Sequence, residues 1–377
     1  MRRTKKLAGR WVIVFMTFTL FITSAFNAHA SDTDELLNFL TEKGVIKQGD
    51  AASFKEELAK KQEQTGEHKG FDLTAGIPLK ISSFAQVRYQ YPENAAAGFD
   101  IHRARLDFNG NITDRIDYRL QPAFEGSSAK LLDAYMDYEV GHYLIFTGGQ
   151  SKIPFSKENL TPSKVMEMID RPEVVQTLVL GNQIGRDIGM KAGGKFLKLS
   201  DTYLFEYALG IFNGQGINTP DLNDQKDYVG RLLIHPINGL SFGGGYYTGR
   251  NALYGITGSS YEHTMVGAEL VYIHDPISLR AEYIKGKDGS KKGTTSSQGW
   301  YIQGAHFFLE KRLQCALRYE AYDPDINVSN NTSSIYTIGL NWFFTTLTRI
   351  QVDYEIKDVE GAKKNSNLLT AQLQVGF

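Results

Sequence analysis

The chain has 377 residues, with 41 Lys plus Arg against 42 Asp plus Glu, and 12% of it is aromatic. That balance lacks the basic excess of a nucleic-acid binder. A single cysteine, Cys315, excludes an intrachain disulfide.

Arg2, Arg3, Lys5, Lys6 and Arg10 form a basic start without an acid. An apolar run from Trp11 to Phe26 follows, then the small-x-small triplet Ala28-His29-Ala30. This pattern predicts a signal peptide over residues 1–30, cleaved after Ala30. Its loss leaves 36 basic residues against 42 acidic ones, a formal charge of −6. No later segment carries the ~20 apolar residues of a spanning helix, which leaves a soluble protein or a barrel.

Residues 31–66 read as a periplasmic helical segment. Leu36, Leu37, Phe39 and Leu40 recur at helical spacing and Gly44 supplies a stop. Asp50 can cap a second helix holding Phe54 and Leu58 four apart. The apolar stripe is narrow, so a short trimeric coiled coil and a loosely ordered linker both stay open.

From Phe71 the period changes from helical to two. "RARLDFNG" sets Arg103, Arg105 and Asp107 against Ala104, Leu106 and Phe108. "LQCALRYEAY" sets Gln314, Arg318 and Glu320 against Leu313, Cys315, Leu317 and Tyr319; "LLDAYMDYEV" and "RIQVDYEI" behave alike. Short connections fall near Thr113–Arg115, Gly141–His142, Pro236–Gly239, Asp275–Pro276, Glu310–Arg312 and Thr345–Thr348. Longer polar ones fall near Gln215–Gln225, Asn251–His263, Asp288–Gly299, Asp325–Ser334 and Val359–Asn367. Short turns at one rim and long loops at the other belong to outer-membrane barrels. Residues 71–377 therefore predict an all-β fold, a 16-stranded antiparallel transmembrane β-barrel beginning near Ile81. In the last strand, Leu369, Ala371, Leu373, Val375 and Phe377 face lipid, and Thr370, Gln372 and Gln374 face the lumen. That strand is expected to close the barrel on the first, with Phe377 in the periplasmic aromatic girdle. Tyr247, Tyr301, Trp300 and Trp342 read as interface-belt residues rather than sugar-stacking ones.

One connection is much longer than the rest. After "YLIFTGGQSKIP" about thirty residues follow, stiffened by Pro154, Pro162 and Pro172, with a short helix expected over Ser163–Ile169. "IHRARLDFNGNI", "LLDAYMDYE", "GGQSKIPFSKENLT", "EMIDRPEVV", "GRDIGM", "GIFNGQG" and "LRYEAYDP", in this order, resemble the phosphate-selective porin O and P family. The resemblance covers essentially all of residues 71–377. It implies a homotrimeric, sixteen-stranded diffusion channel of the Gram-negative outer membrane, narrowed by its third long loop and carrying a cationic eyelet.

On the wet strand faces the pore-lining, anion-binding candidates are Arg103, Arg105, Arg119, Lys152 and Arg231, joined by Arg88, Arg280 and Arg318. The inward loop adds Lys157, Lys164 and Arg171. A guanidinium fork matches phosphate oxygens, and repeated weak sites allow release. The same faces also carry Asp107, Asp133, Asp137, Glu269, Glu282, Glu320 and Asp353. Residues 71–377 hold 33 acids against 30 bases, so cross-strand pairing that merely braces the wall is the competing reading. The histidines lack metal-ligand spacing, no catalytic set or cofactor motif is present, and "GGGYYTG" lacks the Lys-Ser/Thr of a phosphate loop. A channel for small hydrophilic solutes is the leading function, with outer-membrane lipid and small anions as partners. A non-selective porin or an envelope-tethering barrel are the alternatives, ahead of a barrel enzyme.

Overall fold

The computed structural model describes residues 78–181, 185–199, 201–251, 260–290, 293–362 and 366–377. The expected signal peptide and helical segment lie outside the described residues. Sixteen strands form one closed antiparallel barrel in which every strand pairs with its sequence neighbours and β1 pairs with β16. They are β1 (Leu79–Pro92), β2 (Gly98–Thr113), β3 (Ile116–Ala123), β4 (Lys130–Gly141), β5 (Leu144–Lys152), β6 (Arg186–Leu199), β7 (Thr202–Phe212) and β8 (Asp227–Ile237). The second half comprises β9 (Leu240–Asn251), β10 (Tyr261–His274), β11 (Ile277–Ser290), β12 (Gly293–Phe308), β13 (Leu313–Asp323), β14 (Ser333–Phe343), β15 (Arg349–Val359) and β16 (Ser366–Gly376).

Alternation sets which face is wet. In β16 the side chains of Thr370, Gln372 and Gln374 are buried toward the lumen, whereas Leu369, Leu373 and Val375 are exposed on the outer face. Trp300 and Trp342 stand exposed outside, as a belt requires. Tyr247 and Tyr301 do not. Each is 1% exposed and points into the barrel, because both lie one residue out of phase with the outward set.

Two connections differ from expectation. The stretch Asp288–Gly299 is no long loop; β11 runs to Ser290 and β12 starts at Gly293, with Asp288 paired to Thr295. Its Gly, Ser and Thr residues read as loop by composition, yet the hairpin ladder uses their backbone. A further short link joins β6 to β7 between Leu199 and Thr202.

Phe377 seals the seam. Its N–H donates to Ser83 O at 3.1 Å and its carbonyl accepts from Ser83 N at 3.0 Å, while its ring is 73% exposed. Without β16, the edges of β1 and β15 would present unpaired backbone groups to hydrocarbon. Deletion of Ser366–Phe377 is expected to abolish the heat-modifiable folded band on a semi-native gel.

Candidate functional site

Residues 153–181, following β5, enter the barrel. They contain one helical turn, α1 (Lys157–Leu160), a 3-10 turn at Ser163–Val165 and a π turn at Val175–Gly181. The helix expected over Ser163–Ile169 is therefore reduced to the 3-10 turn. The reason is competition: the wall takes the backbone groups a helix would use. Asn341 Nδ2 donates to Glu167 O at 2.8 Å, Ile169 N donates to Asp353 Oδ2 at 2.7 Å, and Arg318 Nη1 donates to Asp170 O at 2.9 Å.

The apolar side of the loop builds a core inside the barrel. Ile153, Phe155, Val174, Val175, Leu178 and Val179 pack against Tyr247, Met265, Ile284 and Tyr301. The wall is cut away to receive them: a Cβ on either Gly245 or Gly267 would stand 3.1 Å from the Phe155 ring. Close approach, rather than nucleotide binding, accounts for part of the "GGGYYTG" run.

Polar clasps complete the attachment. Glu282 accepts from Lys157 N at 3.0 Å, Glu158 N at 2.7 Å and Tyr301 Oη at 2.7 Å. Every acid of the loop meets a wall cation. Glu158 and Glu167 lie 3.6 and 3.3 Å from Arg280, Asp170 lies 3.1 Å from Arg88 and 3.3 Å from His102, and Glu173 lies 2.5 Å from Lys357.

A second set of charges lines β2 to β6 and the root of the loop. Arg119 grips Asp107 at 2.6 Å and reaches Asp133 at 3.3 Å; Arg186 holds the same Asp133 at 2.7 Å. Arg105 pairs with Glu125 at 2.8 Å and its Nη1 donates to Ser163 Oγ at 3.3 Å. Three cations make no ion-pair contact with a carboxylate among the described residues. Arg103 donates to Gln86 Oε1 at 2.8 Å, and Lys152 donates to the carbonyls of Asn159, Leu160 and Thr161 at 2.6, 3.1 and 3.0 Å. Arg171 donates to the carbonyls of Glu158 and Thr161 at 2.9 and 2.8 Å. Arg105, Lys152, Arg171 and Arg186 are near enough to repel one another.

The remaining candidates lie elsewhere. Arg231 is bound by Glu269, with Glu206 at 3.6 Å. The backbone of Lys157 is held by Glu282, and the carbonyl of Lys164 accepts from Arg349 and Gln374. Sequence reading passed over Arg186 and Lys191; Lys191 shares the lumenal phase of β6 with Gly189 and Gly193, whereas Arg186 opens the strand and turns to Asp133. Lys191 Nζ donates to Lys152 O at 3.3 Å and sits 5.8 Å from the Tyr135 ring centroid.

The model of a known family, phosphate-selective porin O and P, matches residues 75–256 and 248–377. The chain belongs to this family. It is thus an outer-membrane channel, a porin rather than an enzyme. No curated protein sequence matches it. Among solved structures, an anion-selective porin from Comamonas acidovorans is 11% identical, with a TM-score of 0.64 over 80% of this chain and 100% of its own. The trimer form of OmpT from Vibrio cholerae is 11% identical, with a TM-score of 0.57 over 80% and 100%. The channel DcaP of Acinetobacter baumannii is 15% identical, with a TM-score of 0.56 over 81% and 98%. At such identities the likeness is one of fold.

In this porin the loop tip is clasped through Asp170. Burial alone would raise its carboxyl, but the His102 hydrogen bond and the charges of Arg88 and Arg103 hold it below the usual carboxylate range. A depressed folded pKa gives a contribution that is full above the ordinary carboxylate pKa of about 4 and lost only at still lower pH. The difference in open-channel noise between wild type and Asp170→Asn is therefore expected to persist from about pH 7 down to about pH 5. A difference that vanishes at the lower pH would show that Asp170 had already been protonated.

Proposed function

We propose that this porin prefers small anions, phosphate among them, and that they pass along the β2–β6 wall beside the loop root. One observation carries the reading. Arg103, Lys152 and Arg171 hydrogen-bond to neutral groups, and among the described residues no carboxylate is in ion-pair contact with them, so their charge is offset only at longer range. Arg103 and Arg171 are buried and act through their field. Arg105, Arg119 and Arg186, with side chains 13%, 29% and 15% exposed, meet the solute. Guanidinium forks replace part of an anion's hydration, and a partner carboxylate on each keeps the hold weak enough for release.

The reversal potential of a single channel under a KCl gradient tests this. Anion selectivity is expected, with chloride current reduced by added phosphate. Arg119→Gln and Arg186→Gln should each lower the anion-to-cation permeability ratio several-fold. A second reading, a non-selective porin, is favoured by the near one-to-one pairing of Arg105, Arg119 and Arg186 with Glu125, Asp107 and Asp133. A reversal potential near zero would select it.

The assembly we infer is a homotrimer, supported by family membership and by the trimer form of the similarly folded Vibrio cholerae protein. In the same reading residues 1–30 direct export and residues 31–66 form a periplasmic helical segment. A monomer on sizing in mild detergent would count against the trimer.

A further inference from the structure

A cleft of about 610 Å³ opens beside the loop root, among the β3–β4 connection, the end of the inward loop and the β7–β8 connection. Its lining divides by chemistry. Leu132, Leu180 and Ile217 supply an apolar surface, Lys130 and Arg186 a cationic edge, and Asn218 a polar corner.

The walls are fixed by bonds that cross between elements. Asn218 N donates to Gln150 Oε1 at 2.7 Å, and Gln150 Nε2 donates to Leu132 O at 3.0 Å, strapping the β7–β8 connection to β4 and β5. Asn159 Nδ2 donates to Gly185 O at 3.2 Å. Leu180 lies so close over Gly185 that a Cβ there would stand 2.4 Å from it, so the glycine leaves the room that lets the leucine join the lining. The cationic edge is under-neutralised. Asp133 is shared between Arg186 at 2.7 Å and Arg119 at 3.3 Å, and Lys130 has no carboxylate partner among the described residues.

We propose that this cleft is an entry subsite for amphipathic anions, namely short aliphatic carboxylates. The carboxylate lies between Lys130 and Arg186, and the hydrocarbon body lies on Leu132, Leu180 and Ile217. The subsite rests on the anion pathway proposed above and narrows its solute class. Inorganic phosphate uses the cations alone. An aliphatic carboxylate adds apolar burial that grows with each methylene, so the outer mouth ranks anions by chain length as well as charge. The subsite delivers its solute to Arg186, which also belongs to the lumenal strip.

The test uses the full-length porin in planar bilayers, with acetate, butyrate or hexanoate added to one side at a time. Chloride current should be blocked about two- to fourfold more tightly per added methylene, from the side bearing the long loops. Leu180→Ser should bring hexanoate block down toward that of acetate. Lys130→Gln, a change at an exposed position, should weaken block by all three carboxylates from that side. A flat chain-length series, or a slope unchanged in Leu180→Ser, overturns the subsite while leaving any anion selectivity intact. A cation-selective channel that still shows a Leu180-dependent slope would instead keep the cleft and overturn the anion pathway.

Discussion

Glu282→Ala is expected to turn a narrow, quiet channel into a wider and noisier one. Glu282 accepts three hydrogen bonds at 3.0 Å or less, two from backbone N–H groups of α1 and one from Tyr301. Removing it strands two buried donors at the start of the loop, at about 1–3 kcal/mol each. A loss of about 3 kcal/mol lowers the ratio of docked to free loop roughly a hundredfold. The apolar packing of Phe155 and Leu178 remains, so the loop should detach intermittently rather than stay out. Bilayer recordings should show brief openings to a higher conductance. Barrel melting should move little, because the strand ladders are untouched. Glu282→Gln keeps an acceptor and a similar shape and should fall between the two. A Glu282→Ala channel with wild-type conductance and noise would show that the apolar core alone secures the loop.

Most of the barrel was legible because it rests on period two. Inward Gln372 and Gln374 against outward Leu373 and Val375 can be read from the letters alone, and the strand count and the position of the inward loop follow. What failed was any element whose environment depends on residues remote in sequence. Tyr247 and Tyr301 look like belt aromatics until the loop is known to present Val175 and Leu178 to them. A signal was present all the same: "YVGRLLI" and "HTMVGAELVYI" put Val229, Leu233, Met265 and Val271 on the inward face beside the paired Arg231 and Glu269, more apolar inside than a wall facing only water. The cations divide similarly. Pairs one strand apart, such as Arg119 with Asp107, follow from strand register. That Lys152 ends on three carbonyls at the end of α1 depends on the loop's path, which alternation does not encode.

Lys152 also separates charge from geometry. Its ammonium converges on the carbonyls of Asn159, Leu160 and Thr161, the open end of α1, where a cation complements both lone pairs and helix dipole. Lys152→Met keeps the length but removes the charge and all three donors. It should loosen the loop root, at about 3 kcal/mol for charge-assisted bonds that are not additive, and should shift the reversal potential toward zero. Lys152→Arg keeps the charge, but a planar fork cannot converge on three carbonyls as a rotating ammonium can. That variant should hold the wild-type reversal potential while gaining noise. The selectivity gap between wild type and Lys152→Met should also narrow as KCl rises from about 0.1 M to about 1 M, since the screening length falls from about 10 Å to about 3 Å. If Lys152→Met retained full anion selectivity, Lys152 would be a brace only, and the selective field would have to come from Arg103 and Arg171 or from Arg105, Arg119 and Arg186 despite their carboxylate partners.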